Sequence, residues 1–143
     1  MFRKLVLILV FVVMSCASNK QISADKAAIK KVLFQSAKDW NKGDMTAYMN
    51  AYWKSEKLQF IGRNGITYGW EQTLKNYLKS YPNKEIMGTL TFEVRDLQYR
   101  SQKVYTLVGT YHLERKPSNA DGIFSLVFEK KNGSWCITSD HSE

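Results

Sequence analysis

The chain has 143 residues and a formal net charge of +8, and 44% of its residues are hydrophobic, which suits one domain with a substantial core. Its basic residues are scattered rather than arranged in a stripe, which argues against a nucleic-acid partner. With two histidines, two cysteines and no metal-ligand motif or glycine-rich phosphate loop, the sequence predicts neither a metal nor a cofactor.

The start of the chain has the three parts of a bacterial secretion signal. A basic start is followed by an apolar run over residues 5–14 and then by small residues. Ten apolar residues cover about 15 Å as a helix, roughly half of a bilayer's hydrocarbon core. The run ends in VMSC, which resembles a lipobox, where an exported cysteine receives lipid. We predict a lipoprotein signal peptide over residues 1–15 and lipidation of Cys16, with ordinary cleavage after Ala17 as the alternative.

This signal predicts an exported protein of the bacterial cell envelope, anchored to a membrane through lipid on Cys16. Residues 16–22 are polar and short, which is typical of a tether, and residues 23–143 are expected to form one domain. If Cys16 carries lipid, Cys136 has no disulfide partner in its own chain. Its place in a predicted strand favours a small buried side chain over a nucleophile.

Two helices open the predicted domain. From Ser23 to Trp40, apolar residues recur at steps of three and four, with Asp25 expected in the first turn. Gly43 supplies a C-terminal stop, and Asp44 supplies the N-cap of the second helix. The second helix carries an apolar and aromatic face made of Met45, Tyr48, Met49 and Tyr52.

The rest of the chain alternates between strand patterns and one more helix. A hairpin is predicted over residues 58–68 with its turn at Asn64-Gly65, and a helix over residues 71–81 ends at Pro82. Four further strands are predicted over residues 88–97, 104–115, 123–130 and 134–140. Their short links predict antiparallel pairing. The expected fold class is α+β, with a cone-like curved antiparallel sheet wrapped around about three N-terminal helices.

Short segments spaced along the predicted domain follow a familiar order. They are WNKGD at residues 40–44, Tyr52-Trp53, Gly69-Trp70, Tyr81-Pro82, MGTL at residues 87–90, Gly109, Arg115, GIF at residues 122–124, WCI at residues 135–137 and DHS at residues 140–142. Together they resemble the SnoaL-like domain of the nuclear transport factor 2-like superfamily over about residues 23–142. The resemblance implies a cone with a pocket at its open end, usually in a homodimer. It implies no single reaction, because the superfamily includes isomerases, cyclases, dehydratases, transport factors and binding modules.

Alternation along the predicted strands indicates which side chains can line that pocket. The bulkier face of the strand over residues 104–115 ends in Arg115, which is expected at the rim. There its guanidinium can hold an anionic group of a ligand, or it can pair with Glu93 or Asp96. The aromatic candidates for the pocket wall are Trp53, Tyr68, Trp70, Tyr77, Tyr111 and Phe124. Tyr48, Tyr52 and Phe128 are expected to fill the core.

Two groups that can exchange protons, Asp140 and His141, end the last predicted strand. His141 shares strand parity with Trp135 and Ile137, whereas Asp140 points to the other face. An unbroken strand cannot aim both groups at one substrate, so a catalytic pair requires a bulge between them. Of the two, His141 is the better candidate for a pocket residue, and the alternative is that both groups only hold the chain terminus through hydrogen bonds to backbone or to a partner subunit.

Three functions remain open at this point. The first is binding of a small apolar or amphipathic ligand, which can carry an anionic group, in an aromatic-lined pocket. The second is an isomerase, cyclase or hydro-lyase in which His141 or Asp140 transfers a proton. The third is an envelope module that docks another protein, which would tolerate a filled cone. The missing acidic residue on the predicted concave face argues against the enzyme.

Overall fold

The computed structural model describes residues 2–116 and 118–143, with side chains described from residue 18 onward. Its elements are α1 (Phe2–Asn41), α2 (Met45–Tyr48), a 3-10 turn (Met49–Ala51), β1 (Gln59–Gly62), β2 (Gly65–Tyr68), α3 (Trp70–Ser80), α4 (Lys84–Met87), β3 (Thr89–Ser101), β4 (Val104–Glu114), β5 (Ala120–Lys131) and β6 (Ser134–Ser142). The predicted order of helices, hairpin, helix and four-stranded meander is confirmed. The predicted lipidation of Cys16 lies outside the described side chains.

Helix α1 is longer than the periodicity predicts. Residues 18–22, expected as a tether, continue the helix, because no proline or glycine interrupts them and Gln21 donates to Asp25 one turn later (3.0 Å). Asp25 therefore lies inside the helix, not in its first turn. At the other end, Gly43 adopts a positive φ of 83°, and the Asp44 side chain accepts from the Ala47 amide at 2.9 Å, as predicted for the N-cap of α2. Within the described side chains, none of the helices has an apolar stretch long enough to cross a bilayer.

The six strands form one curved sheet in the order β2-β1-β6-β5-β4-β3. Neighbouring strands run antiparallel, except that β1 lies parallel to β6. The expectation of a purely antiparallel sheet was therefore wrong at this one pair: β1 is linked to β6 through most of the chain, so no tight turn dictates its direction. A register shift near Arg95 bends β3, the longest strand. This bend helps to curve the sheet around the helices.

The core lies between α1 and the concave face of the sheet. Its members on the sheet include Leu107, Leu113, Phe124, Leu126, Phe128, Trp135 and Ile137, all buried against the helices. These burials confirm the predicted inward faces of the strands at residues 104–115, 123–130 and 134–137. Gly109 is required at its place because the Phe124 ring crosses it: an added Cβ would lie 2.5 Å from that ring and 2.6 Å from the Glu93 carbonyl oxygen.

Candidate functional site

The cone encloses a cavity of about 440 Å³ between the helices and the concave sheet. Its aromatic wall is formed by Trp40, Tyr48, Tyr52, Phe60, Tyr77, Tyr81, Phe92, Tyr111 and Phe124. Several of these rings meet edge to face, with centroid distances of 5.0 Å for Trp40 and Tyr48 and 4.8 Å for Trp40 and Tyr81. The exposed β1–β2 turn, including Arg63 and Asn64, forms part of the rim. The volume and the lining are those of a small-molecule site.

The carboxylate of Asp140 faces this cavity and is only 3% exposed. The Tyr52 hydroxyl donates to Asp140 Oδ2 at 2.7 Å, and the Ser142 hydroxyl donates to Asp140 Oδ1 at 2.5 Å. Each carboxylate oxygen accepts two hydrogen bonds readily, so a lone pair on each remains for a ligand. Asp140 is therefore a buried acceptor held in place by two hydroxyl donors.

A β-bulge explains why Asp140 points inward. Phe128 pairs with Ile137, but Val127 pairs with Ser139, so Thr138 is an extra residue in β6. Strand parity reverses at that residue: Ile137 and Asp140 both face the interior. The prediction that His141 is the pocket residue assumed an unbroken strand and was wrong. His141 lies on the other face, exposed, with Nε2 3.2 Å from Glu143 Oε1, and it does not line the cavity.

A chain of tyrosine hydroxyls extends from Asp140 across the cavity. The Tyr48 and Tyr52 oxygens are 3.1 Å apart, and the Tyr48 and Tyr77 oxygens are 3.5 Å apart. Because Tyr52 gives its proton to Asp140, its oxygen accepts from Tyr48, and Tyr48 in turn accepts from Tyr77. The hydroxyls thus all donate toward the carboxylate when Asp140 is ionised.

Burial raises the pKa of Asp140 and of the three tyrosines linked to it. Loss of hydration raises the pKa of Asp140, and this outweighs the opposing effects of the Ser142 and Tyr52 hydrogen bonds and of nearby His141. Burial also raises the pKa of Tyr48 to about 12 and the pKa values of Tyr52 and Tyr77 well above 10.0. The tyrosines are therefore neutral donors at physiological pH. Among these four linked groups, Asp140 is the one that can exchange a proton.

Arg115 lines the mouth of the cavity, as predicted. Its Nε donates to the Ser118 carbonyl oxygen at 2.9 Å, and Nη1 donates to the Ile86 carbonyl oxygen at 3.3 Å. The alternative of an ion pair with Glu93 or Asp96 was wrong. Those two carboxylates contact Arg95 at 2.9 Å and Gln98 at 2.7 Å instead. The Arg115 charge is therefore placed at the mouth by backbone carbonyls and is not neutralised by either carboxylate.

The structure brings half of the predicted aromatic wall to the cavity. Tyr77, Tyr111 and Phe124 line it, whereas the other three candidates do not. Trp53 lies under the Lys131 ammonium, 4.5 Å from the ring centroid. Tyr68 is 60% exposed on the β1–β2 hairpin. Trp70 is buried in the core, where its indole nitrogen donates to the Met49 carbonyl oxygen at 2.8 Å.

Tyr48 and Tyr52, which the sequence predicts to fill the core, also line the cavity. Five further lining residues were not predicted from the sequence: Trp40, Phe60, Tyr81, Phe92 and Ser142. A usable signal was present in the spacing of Tyr48 with Tyr52 and of Tyr77 with Tyr81. These four tyrosines line the cavity and carry hydroxyls that need polar partners inside the fold. Such partners indicate a polar inner end of the cavity, around Asp140, which is named the floor here.

The described residues contain no cluster of three or more histidine, cysteine, aspartate or glutamate side chains that could hold a metal ion. The chemistry available at the cavity is that of the buried Asp140 carboxylate and several phenols, with Arg63, Arg115 and Glu143 also in the lining. Such a set can accept a hydrogen bond or a proton at the floor and hold an anion at the mouth.

A curved sheet wrapped around helices, with a cavity between them, defines a class of cone-shaped pocket proteins. Neither a protein-family model nor a curated protein matches the sequence. Solved structures do match. An NTF2-like protein of unknown function from Shewanella oneidensis MR-1 is 36% identical, and the alignment covers 82% of this chain and 98% of that protein with a TM-score of 0.80. The chain therefore belongs to the NTF2-like family.

More distant structures share the fold alone. An NTF2-like superfamily protein from Salmonella enterica serovar Typhimurium is 18% identical over 85% of this chain and 92% of that protein, with a TM-score of 0.66. A ketosteroid isomerase-like protein from Erwinia carotovora atroseptica is 12% identical over 81% of this chain and 92% of that protein, with a TM-score of 0.63. These similarities confirm the cone-shaped α+β fold.

Proposed function

We propose that this chain is a small-molecule-binding domain whose ligand has an apolar, aromatic-sized body. The observation that carries the proposal is the cavity of about 440 Å³ with an aromatic wall and the Asp140 carboxylate at its floor. Because a buried acceptor costs free energy unless it is satisfied, the floor favours a ligand that donates a hydrogen bond there. A docking module, which would tolerate a filled cone, has less support from such a cavity.

The two ends of the cavity suggest the polarity of the ligand. The floor offers a carboxylate acceptor, while the mouth carries the Arg115 guanidinium. A ligand with a hydroxyl or amine at its inner end and an acidic group at its outer end matches both. Removing the cation by Arg115→Ala should weaken binding of 1-anilinonaphthalene-8-sulfonate, an aromatic sulfonate, by about 1.5–3 kcal/mol.

The direct test uses two matched fluorescent probes, 2-naphthol and naphthalene. The wild-type chain should bind 2-naphthol about tenfold more tightly, because only the naphthol can donate to Asp140. Equal affinities would contradict a donor-accepting floor, and no binding of either probe would contradict the pocket itself. Native mass spectrometry of the chain purified from its host should in parallel show a retained small molecule. A Leu78→Ser variant, altered at an exposed residue outside the cavity, serves as the control.

Catalysis of proton transfer is the second candidate, and the state of Asp140 favours it. A carboxylate with a raised pKa is a stronger base than an exposed one, and Asp140 has free acceptor capacity inside an aromatic cavity. It could take a proton from a carbon next to a ligand carbonyl and return it to another position. Tyr77, at the outer end of the hydroxyl chain, can turn its proton to the oxygen that becomes negative. The ligand would then be isomerised with no net change of atoms.

A bicyclic ketone with acidic C–H bonds, such as 2-tetralone, tests this second candidate. In D₂O the wild-type chain should accelerate deuterium exchange beside the carbonyl, as followed by proton NMR. Asp140→Asn should abolish the acceleration, while binding of naphthalene persists. Binding without accelerated exchange would leave the binding function in place and remove the enzymatic one.

We also propose that the chain is of the SnoaL-like type. The short segments that resemble the SnoaL-like type lie on the elements around the cavity, and an acid inside the cone suits that type.

We propose export and lipidation at Cys16 on the basis of the apolar run and VMSC. Cys16→Ala should move the chain from the membrane to the soluble fraction. A wild-type mature chain that begins at Ser18 would contradict lipidation.

A homodimer through the convex side of the sheet is the remaining proposal. Val108 on β4 and Ile123 on β5 are apolar yet 38% and 61% exposed, and they support a covered surface there. Light scattering of the purified chain should report a dimer, and Ile123→Lys should convert it to a monomer. A monomeric wild-type chain would contradict this proposal.

A further inference from the structure

The end of the cone opposite the mouth, here named the closed end, carries an excess of positive charge. It consists of the first described turns of α1 and the two turns that join β3 to β4 and β5 to β6. Its basic residues are Lys20, Lys26, Arg100, Lys103, Lys130 and Lys131. Its two acids are engaged: Asp25 is 6% exposed and Glu129 contacts Lys131 at 2.5 Å.

Specific contacts gather these residues onto one surface. The Lys130 amide donates to the Lys103 carbonyl oxygen at 3.0 Å, which joins the two turns. The Lys130 ammonium lies 3.6 Å from Asp25 Oδ1, which joins the turns to α1. Trp135 Nε1 donates to the same oxygen at 3.3 Å. The three segments that carry these basic residues are therefore adjacent.

The direction of α1 places the start of the domain at this same end. Asp25 lies at the closed end, whereas Trp40 and Asn41 lie toward the mouth, where Trp40 Nε1 donates to the Met87 carbonyl oxygen at 3.2 Å and Asn41 pairs with the Leu90 backbone. Any membrane attachment that precedes residue 18 thus meets the domain beside the lysines. The mouth instead carries both signs, because Arg63, Arg115 and Glu143 all line the cavity.

We propose that the closed end is a membrane-contacting surface that lies against anionic lipid headgroups, so that the cavity mouth faces away from the bilayer. A basic residue near such a surface contributes attraction that falls off within a Debye length. Tyr99, 43% exposed and packed edge to face on Tyr105, sits among the basic residues, and its amphipathic ring suits the headgroup region. The contact adds to any N-terminal anchor and does not depend on the pocket's ligand.

Lysine labelling tests the orientation directly. The mature chain purified from its host is bound to phosphatidylcholine vesicles with or without phosphatidylglycerol, treated with an amine-reactive reagent and read residue by residue by mass spectrometry. Lys20, Lys26 and Lys103 should be labelled several-fold more slowly on the anionic vesicles, while Lys79 and Lys116, next to the lining residues Ser80 and Arg115, should be unchanged. The protection should disappear at high salt. Protection of the mouth lysines, uniform protection or no protection would overturn the proposal.

Matched charge reversals provide a second measurement. Lys20→Glu with Lys103→Glu changes two exposed closed-end residues, and Lys79→Glu with Lys116→Glu makes the same change in net charge at the mouth. The first pair should lower the ratio of binding to anionic over neutral vesicles by at least about tenfold, and the second pair should have a much smaller effect. Equal losses would indicate a net-charge effect and contradict an oriented surface. Protection by inorganic phosphate alone would indicate a site for the free ion instead of a membrane surface.

Discussion

Two buried aspartates lie in this domain, and they have different partners. Asp25, 6% exposed, accepts from Gln21 and Trp135 and has the Lys130 ammonium at 3.6 Å. Asp140, 3% exposed, accepts only from the hydroxyls of Tyr52 and Ser142, and it borders the cavity. The first carboxylate has a cation beside it and no open space. The second has neutral donors and open space.

The partners of a buried acid indicate its role. A carboxylate paired with a cation holds two segments together, here α1 and β6, and its removal leaves buried donors without a partner. A carboxylate held by hydroxyls keeps part of its hydrogen-bonding capacity, and burial raises its pKa. The first arrangement contributes to stability, and the second one is suited to a ligand.

The largest effect is expected from Asp25→Ala. Loss of this carboxylate leaves the Trp135 indole N–H and the Lys130 ammonium without their acceptor, so the free energy of unfolding should fall by about 2–3 kcal/mol. Urea unfolding measures it. Binding of 2-naphthol by the folded fraction should not change. A loss below about 0.5 kcal/mol, the scale of ordinary surface substitutions, would show that Asp25 does not clamp the helix.

Asp140→Asn should lower ligand affinity and leave the free energy of unfolding nearly unchanged. The amide oxygen can still accept from Tyr52, so we expect the unfolding free energy to change by less than about 1 kcal/mol. Affinity for 2-naphthol should fall by about tenfold, because a neutral amide is a weaker acceptor than a carboxylate. Titration by fluorescence measures this, with naphthalene as the control ligand. A large loss of stability with unchanged affinity would reverse the roles assigned to the two aspartates.

The wild-type chain and Asp140→Asn should differ in how their free energies of unfolding depend on pH. Because the folded-state pKa of Asp140 is raised, its contribution is fully present below the unfolded pKa of about 3.9 and is lost as pH rises through the folded pKa. The wild-type chain should therefore lose stability relative to Asp140→Asn from acidic to neutral pH. Urea unfolding of both proteins at several pH values measures the difference. A difference that stays constant would contradict the raised pKa.

The smallest effect is expected at the neighbouring residue. His141 is exposed and its imidazole hydrogen-bonds only to Glu143 among the described side chains, so His141→Ala should change stability and 2-naphthol affinity by less than about 0.5 kcal/mol. This variant is a position-matched control for Asp140→Asn, one residue away on the other face. A loss of affinity as large as that of Asp140→Asn would mean that the terminal segment acts as a unit.

The fold was predictable from the sequence because its signals are local. Helical periodicity, the Gly43-Asp44 corner and alternation in the meander each depend on neighbouring residues. The site was predictable only in part. Tyr111 and Phe124 lie on unbroken strands, Arg115 directly follows one, and all three were found by parity. The Thr138 bulge has no marker in the sequence, since neither glycine nor proline accompanies it. The hydroxyl chain links residues 48, 52, 77 and 140, and only the folded chain brings them together.

The bulge at Thr138 also bears on how such a cavity can change during evolution. Loss of one residue between Ile137 and Asp140 would only remove the bulge, because Ile137 would still pair with Phe128 and Asp140 with Leu126. Gain of one residue there, with the bulge retained, would instead turn every later side chain of β6 to the opposite face. Ser139 would then lie opposite Leu126 and His141 would face the interior, while strand pairing and the core before the bulge stay the same. A gain of one residue in this strand is therefore a short mutational route to a pocket of different acidity, with no new substitution needed.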